Sequence, residues 1–280
     1  MKQIIYILTV ILITSCGSKK TAIVAAQTTV KEIETPTDNN STEISLVTDG
    51  TIDDNGISET VELVAIEKFD HSIFNKLLKK LVTQNGLVSY KGFKNNAKTL
   101  RDYIALLSKY TPTENWTKAD KLAYWINAYN ALTIDLIIRN YPLKTIKDIK
   151  NPWDQRLWKF GDKWINLNDI EHKVLRKMDE PRIHFAIVCA SFSCPKLQNK
   201  AFTAFNLDEQ LTNATKEFLS DSNRNKISTN NIEISKIFQW FSKDFKQNGD
   251  VINFLNQYSE IEISSKAKKS YMTYNWDLNE

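Results

Sequence analysis

Apolar residues recur at helical spacing through most of the chain after residue 66. Ile73, Phe74, Leu77, Leu78 and Leu81 predict a helix over 72–82, stopped by Gly86. Leu100, Tyr103, Ile104 and Leu107 predict a second over 97–107. The longest is expected over 117–139, ended by Asn140-Tyr141-Pro142. The period then changes to two: Trp158 and Phe160 lead into Gly161-Asp162, and Trp164 and Ile165 return, which predicts a hairpin over 157–167. Asn168 is placed to cap a helix running through Met178, with Asp169 and Glu171 in its first turn.

The unbroken apolar run from Ile183 to Ala190 ends in small polar residues and Pro195. It predicts a buried central strand that exits into a tight loop. Beyond it the pattern predicts a helix over 207–220 and a hairpin over 227–234 around Asn230-Asn231. An aromatic helix follows, capped by Ser235 and carrying Ile237, Phe238, Trp240, Phe241 and Phe245. A short helix over 251–258 and closing strands over 260–264 and 270–276 complete the chain. Helices do not alternate strictly with strands, so the expected class is α+β: a helix-rich single domain packed on a small, mainly antiparallel sheet.

The first 66 residues follow different rules. Residues 1–15 open with Lys2 and an apolar run, Ile4 to Ile13, too short to span a bilayer as a mature helix. The run ends in Ile13-Thr14-Ser15-Cys16, the spacing of a bacterial lipobox, so Cys16 is the expected lipidation site and membrane anchor. No acidic cluster follows Cys16, which points to the periplasmic face of the outer membrane. Residues 16–66 hold three Lys against nine acidic residues and no aromatic residue, a composition that cannot offset chain entropy by burial. They are expected to act as an acidic tether, with the folded domain over 67–280. Twenty-nine of the 30 aromatic residues lie in that domain, which carries 33 basic and 24 acidic residues.

Seven glycines and no Gly-rich phosphate loop argue against a nucleotide cradle. No cofactor and no metal is expected. The basic residues lack the aromatic interleaving of a nucleic-acid surface, so the excess suits anionic lipid, glycan or peptidoglycan surroundings, and the expected partners are the membrane and an envelope peptide or glycan, not nucleic acid.

The chemistry-bearing residues gather around the end of the expected strand. Cys189 and Cys194, separated by Ala190-Ser191-Phe192-Ser193, are close enough for a disulfide across a tight turn. Three readings stay open: a structural staple, a reactive thiol, or a redox pair, the last weakened because the spacing is not Cys-x-x-Cys. A thiol nucleophile needs a base and a group to orient it. His172 and His184 are the available imidazoles. His184 lies five positions from Cys189, which on one regular strand sets the two on opposite faces, so His172, with Glu171 beside it, ranks first. A helix N-terminus or paired backbone N–H groups near Ala190 and Ser191 are the expected oxyanion donors. Asn127 and Asn130 share one face of an apolar helix and either brace a loop or line a pocket. With Ser191 and Arg182 they are taken as binding positions.

Three motifs are similar to the family catalogued as domain of unknown function 547. They are Ala123-Tyr-Trp-Ile-Asn-Ala-Tyr-Asn-Ala-Leu132, Leu167-Asn-Asp-Ile-Glu-His-Lys-Val-Leu-Arg176, and Arg182 to Pro195. The resemblance covers about residues 120–245 and implies an exported or lipid-anchored bacterial protein. It also implies a cysteine matching Cys189 in plant relatives, with serine at the position of Cys194, and brings no established reaction. Two functional expectations follow: a thiol-dependent hydrolase or transferase acting on an envelope amide or peptide, or a non-catalytic envelope binding or scaffold module with a structural Cys189–Cys194 loop.

Overall fold

The structure is a computed structural model that describes residues 69–247 and 249–280. The expectations for the signal, Cys16 and the tether lie outside the described residues. Among those residues, no helix is long and apolar enough to cross a membrane.

The fold is α+β and is organised around one helix, α4 (Lys118–Asn140), with α1 (Ser72–Leu81), α2 (Tyr90–Asn95) and α3 (Ala97–Lys109) packed about it. Thr117 and Asp120 close a reciprocal capping box at the start of α4. From Leu122 to Ile138 every residue of α4 except Trp125 is buried, so the helix is enclosed all round and serves as the core's axis. A hairpin of β1 (Trp158–Phe160) and β2 (Lys163–Ile165) turns at Gly161, whose φ of 54° is one that L side chains rarely adopt. The Gly161 N–H also donates to the Ser108 carbonyl, which fixes the hairpin to the end of α3.

The second half is built on α5 (Leu207–Ser220), β3 (Lys226–Ile227), β4 (Asn231–Ile234), α6 (Ile237–Trp240), α7 (Val251–Asn256) and β5 (Lys268–Tyr271). β3 and β4 pair antiparallel as expected, but β5 joins β4 in parallel, with Ile232 opposite Lys269. Two hydrophobic clusters result, one around α1–α4 and one around α5, β4, α6 and α7. Cys189 and Trp276 pack against both, which places them on the seam.

Several expected elements take other forms. Residues 183–190 do not form a strand. Residues 181–185 make a 3-10 turn, and the chain then runs irregularly through the interior. An apolar run signals burial, and burial does not require a strand when side chains supply the backbone's partners. Here Asn130 does so: its Nδ2 donates to the Ala186 carbonyl (2.9 Å) and its Oδ1 accepts from the Val188 N–H (2.9 Å).

The helix expected after Asn168 is a π-helix, Asp169–Val174, followed by a 3-10 turn, Leu175–Lys177. Asn168 is not its cap. Asn168 donates to Asp154 (2.6 Å), while Asn166 Oδ1 accepts from the Asp169 N–H (2.7 Å). The aromatic helix is a single turn, α6, and Phe245 sits in a separate 3-10 turn, Asp244–Lys246. Residues 260–264 form no strand.

Candidate functional site

The loop after Val188 is held in three ways. Cys189 and Cys194 are joined as a disulfide, with Cα atoms 6.2 Å apart, and the Cys189 N–H points at Cys194 Sγ (3.0 Å). The C-terminal segment clamps the loop: the Phe192 N–H donates to the Asp277 carbonyl (2.7 Å) and the Ser193 N–H to that of Asn275 (3.1 Å). In return the Asn279 N–H donates to the Ala190 carbonyl (3.1 Å) and the Asn275 N–H to Ser193 Oγ (2.9 Å). Arg224 donates to the carbonyls of Cys194 (2.7 Å) and Phe192 (2.5 Å).

Within this frame Ala190 has a φ of 62°, a left-handed conformation that costs a non-glycine residue about 1–2 kcal/mol. The turn it makes leaves two donors over. Among the described residues, the N–H groups of Ala190 and Ser191 have no hydrogen-bond partner, although both residues are buried. Buried N–H groups without partners are rare.

Cys189 is half-buried. Its Sγ meets two hydroxyls, Ser191 Oγ (3.2 Å) and Tyr274 OH (3.3 Å), and Ser191 Oγ also donates to Tyr274 OH (2.9 Å). Burial pushes the Tyr274 phenol up to about 12, so it stays a neutral donor beside the sulfur. Tyr274 also begins an aromatic shelf. Its ring lies 4.8 Å from that of Trp240 and 4.6 Å from that of Trp276, and Trp276 meets Trp153 edge-on at 5.9 Å. Lys147 Nζ stands 3.8 Å over the Trp276 ring.

Neither imidazole is hydrogen-bonded to Cys189. His184 is buried, stacks on Phe241 at 4.1 Å, and its Nε2 lies 2.8 Å from Asp244 Oδ2. Burial lowers its pKa and Asp244 opposes that shift. His172 is exposed, and its Nδ1 lies 3.2 Å from an Arg176 guanidinium nitrogen. Burial lowers its pKa first, and the Arg176 charge adds to the effect. Burial acts to raise the Asp244 carboxyl, but the Arg176 fork (2.6 and 2.8 Å) and His184 outweigh it and hold the group well below the usual range.

Glu171 is buried and accepts one hydrogen bond, from the Tyr129 hydroxyl (3.1 Å). Burial pushes its carboxyl up to about 7. Trp153 lies against the Tyr129 hydroxyl.

The expected binding positions divide. Asn127 and Asn130 both act as braces: Asn127 exchanges two hydrogen bonds with Phe202 (2.8 and 3.0 Å), as Asn130 does with Ala186 and Val188. Arg182 is held by Glu180 (2.7 Å) and Asp208 (2.8 Å). Ser191 is at the sulfur. Tyr274, Tyr129 and Asp244 escaped the sequence reading, because only tertiary contacts bring them to the motifs. Two cavities, of about 630 and 930 Å³, lie elsewhere, one against α1 and the start of α5, the other between α5 and the three-stranded sheet.

Residues 113–219 match the family model described as "Protein of unknown function, DUF547". The matched span takes in Asn127, Asn130, Glu171, His172, His184, Cys189 and Cys194, and stops short of Asp244 and Tyr274. No curated protein and no solved structure matches the chain.

Proposed function

We propose that the chain is a thiol-dependent hydrolase or transferase of the bacterial cell envelope, acting on an amide or peptide and held at the periplasmic face by a lipid on Cys16. The observation that carries the reading is the pair of unpartnered N–H groups on Ala190 and Ser191, the two residues that follow Cys189 in the chain. An acyl carbon attacked by that sulfur develops negative charge on its oxygen, and preorganised N–H donors stabilise it. The Tyr274 hydroxyl, which accepts from Ser191 Oγ, would stabilise the thiolate by donating to it, so no imidazole need touch the sulfur. The disulfide is then a resting state. A dithiol opens it by giving two electrons, and is itself oxidised to a disulfide as Cys189 and Cys194 become thiols.

The test is direct acylation. The chain is reduced with dithiothreitol, freed of reductant and treated with p-nitrophenyl acetate, and peptide mass spectrometry locates the acetyl group. The reading expects it on Cys189 well ahead of Cys194. Equal, slow labelling of both would remove the reading. Replacing Cys16 with Ala should release the protein from membranes, and a variant that still fractionates with membrane would contradict the anchor.

One observation favours a second reading, a non-catalytic binding or scaffold module. The disulfide occupies Cys189, and both imidazoles are engaged elsewhere. In that case the shelf of Trp153, Trp240, Tyr274 and Trp276 would hold an envelope glycan or peptide. Retention on purified sacculi that survives Cys189→Ala, together with no acylation, would select it.

A further inference from the structure

The cavity of about 630 Å³ against α1 and the start of α5 shares no residue with the Cys189 loop or the aromatic shelf. Two of the residues lining it, His71 and Asp120, are nine-tenths or more buried, and each leaves one polar atom over. Asp120 commits one carboxyl oxygen, Oδ2, to the N–H (3.3 Å) and hydroxyl of Thr117, closing the capping box of α4. Its other oxygen, Oδ1, has no hydrogen-bond partner among the described residues. His71 Nδ1 lies 2.7 Å from the Tyr103 hydroxyl. That hydroxyl is fully buried and has no other acceptor among the described residues, so it donates to Nδ1 and leaves the imidazole proton on Nε2. Burial pushes the His71 pKa down to about 4 against the Asp70 charge, which keeps the ring neutral. Neither Oδ1 nor Nε2 is sealed, because among the described residues Thr133 Oγ1 is the one fully enclosed side-chain polar atom without a partner. The cavity that both residues line is their opening, so it presents one acceptor and one donor.

The walls of the cavity are aromatic. The Phe69 ring lies 4.9 Å from that of His71 and 5.4 Å from that of Tyr124, which Trp116 meets edge-on at 5.6 Å. Phe205, also lining the cavity, is 92 % exposed, the most exposed of the large apolar side chains described. Lys79 and Lys200 are offset by Asp70 and Glu209, so neither sign of charge selects the ligand. We infer that this cavity binds an N-acetylated amino sugar. The acetamido carbonyl accepts from His71 Nε2, the acetamido N–H donates to Asp120 Oδ1, and the methyl and ring C–H groups lie on the aromatic walls. A secondary amide offers one acceptor and one donor side by side, the complement of these two buried atoms. A sugar fits the remaining lining better than a peptide does. Asn75 Oδ1 accepts from the Ala201 N–H (3.0 Å), which leaves the Asn75 NH2 group as a donor for a hydroxyl. An extended peptide would need a sheet edge for its own backbone, and no residue lining the cavity belongs to a strand. The inference stands whether or not Cys189 is a nucleophile.

Calorimetric titration of the full chain with N,N′-diacetylchitobiose and with cellobiose tests it, because the two disaccharides differ only in acetamido groups that replace hydroxyls. The first should bind at least about ten-fold more tightly. Asp120→Asn lets the amide oxygen keep the Thr117 bonds and sets an NH2 group where Oδ1 stood, against the acetamido N–H. It should weaken diacetylchitobiose about ten-fold. The location is read from Trp116: binding should change the tryptophan emission, and Trp116→Phe should remove that change while calorimetry still records binding. The disaccharide comparison needs no variant, so it holds even if Asp120→Asn folds poorly. No binding of diacetylchitobiose up to about 10 mM, equal affinities for the two sugars, unchanged affinity in a folded Asp120→Asn, or an emission change that persists in Trp116→Phe would each overturn the inference.

Discussion

Asp135 and Glu171 are both carboxyls inside one apolar core, and the contrast between them separates scaffold from site. Asp135 is fully buried, on α4, and binds two guanidinium groups and an indole N–H. Every lone pair that faces the core has a donor, and the two arginines reach solvent, so the charge is compensated. Glu171 has one hydroxyl and an open oxygen, and burial raises its carboxyl to about 7. The same core therefore holds one acid as a charged brace and the other as an acid able to release its proton. A compensated carboxyl stabilises the fold. One left short of donors is available for chemistry.

The comparison breaks most visibly at Asp135. Asp135→Ala leaves the Trp158 N–H buried without an acceptor and two guanidinium groups without their counter-charge. The expected loss is about 2–4 kcal/mol, moderated because both arginines are 38–48 % exposed. A urea midpoint that moves by less than 1 kcal/mol equivalent would mean that Asp135 is not a brace.

Asn130→Ala should come next, at about 2 kcal/mol, because it leaves the Ala186 carbonyl and Val188 N–H unpaired inside the protein. It should also loosen the Cys189 loop, read as faster reduction of the disulfide. Glu171→Gln at pH 6 should change stability by less than about 1 kcal/mol, since an amide resembles a neutral acid.

The pH dependence sharpens the contrast. Glu171 has a raised folded pKa, so the folded state binds more protons than the unfolded one between about 4.5 and about 7. Its contribution is fully present below the lower value and is lost as pH rises through the upper. Wild-type stability should fall across that window by on the order of 2 kcal/mol, and Glu171→Gln should flatten the fall. Identical profiles would contradict the assignment of a neutral acid.

Much of the scaffold could be read from periodicity. α1, α3, α4 and α5 begin and end within two residues of expectation, because one apolar face per helix turn leaves few alternatives. The Gly161-Asp162 hairpin was legible from its turn chemistry. The run from Ile183 to Ala190 was read correctly as buried and wrongly as a strand, since nothing in it tells that an asparagine 53 positions before Ile183 supplies its hydrogen bonds. Cys189 and Ser191 were singled out from their place at the end of that run. Their surroundings were not. Tyr274 lies 85 positions from Cys189 and arrives on the C-terminal clamp, a long-range contact without local signal. Alternation ranked His184 below His172 as the partner of Cys189, for a reason that does not apply, because there is no strand. Asp244 holds that imidazole instead.

The central proposal is that Cys189 is activated by the Tyr274 hydroxyl, itself held by Ser191, and not by an imidazole. Iodoacetamide labelling of the dithiothreitol-reduced chain at pH 7, followed residue by residue, tests it most directly. Cys189 should label about ten-fold faster than Cys194, Tyr274→Phe should abolish most of that difference, and His172→Ala should leave it intact. Equal rates at the two cysteines, or an advantage lost with His172→Ala and kept with Tyr274→Phe, would contradict the account.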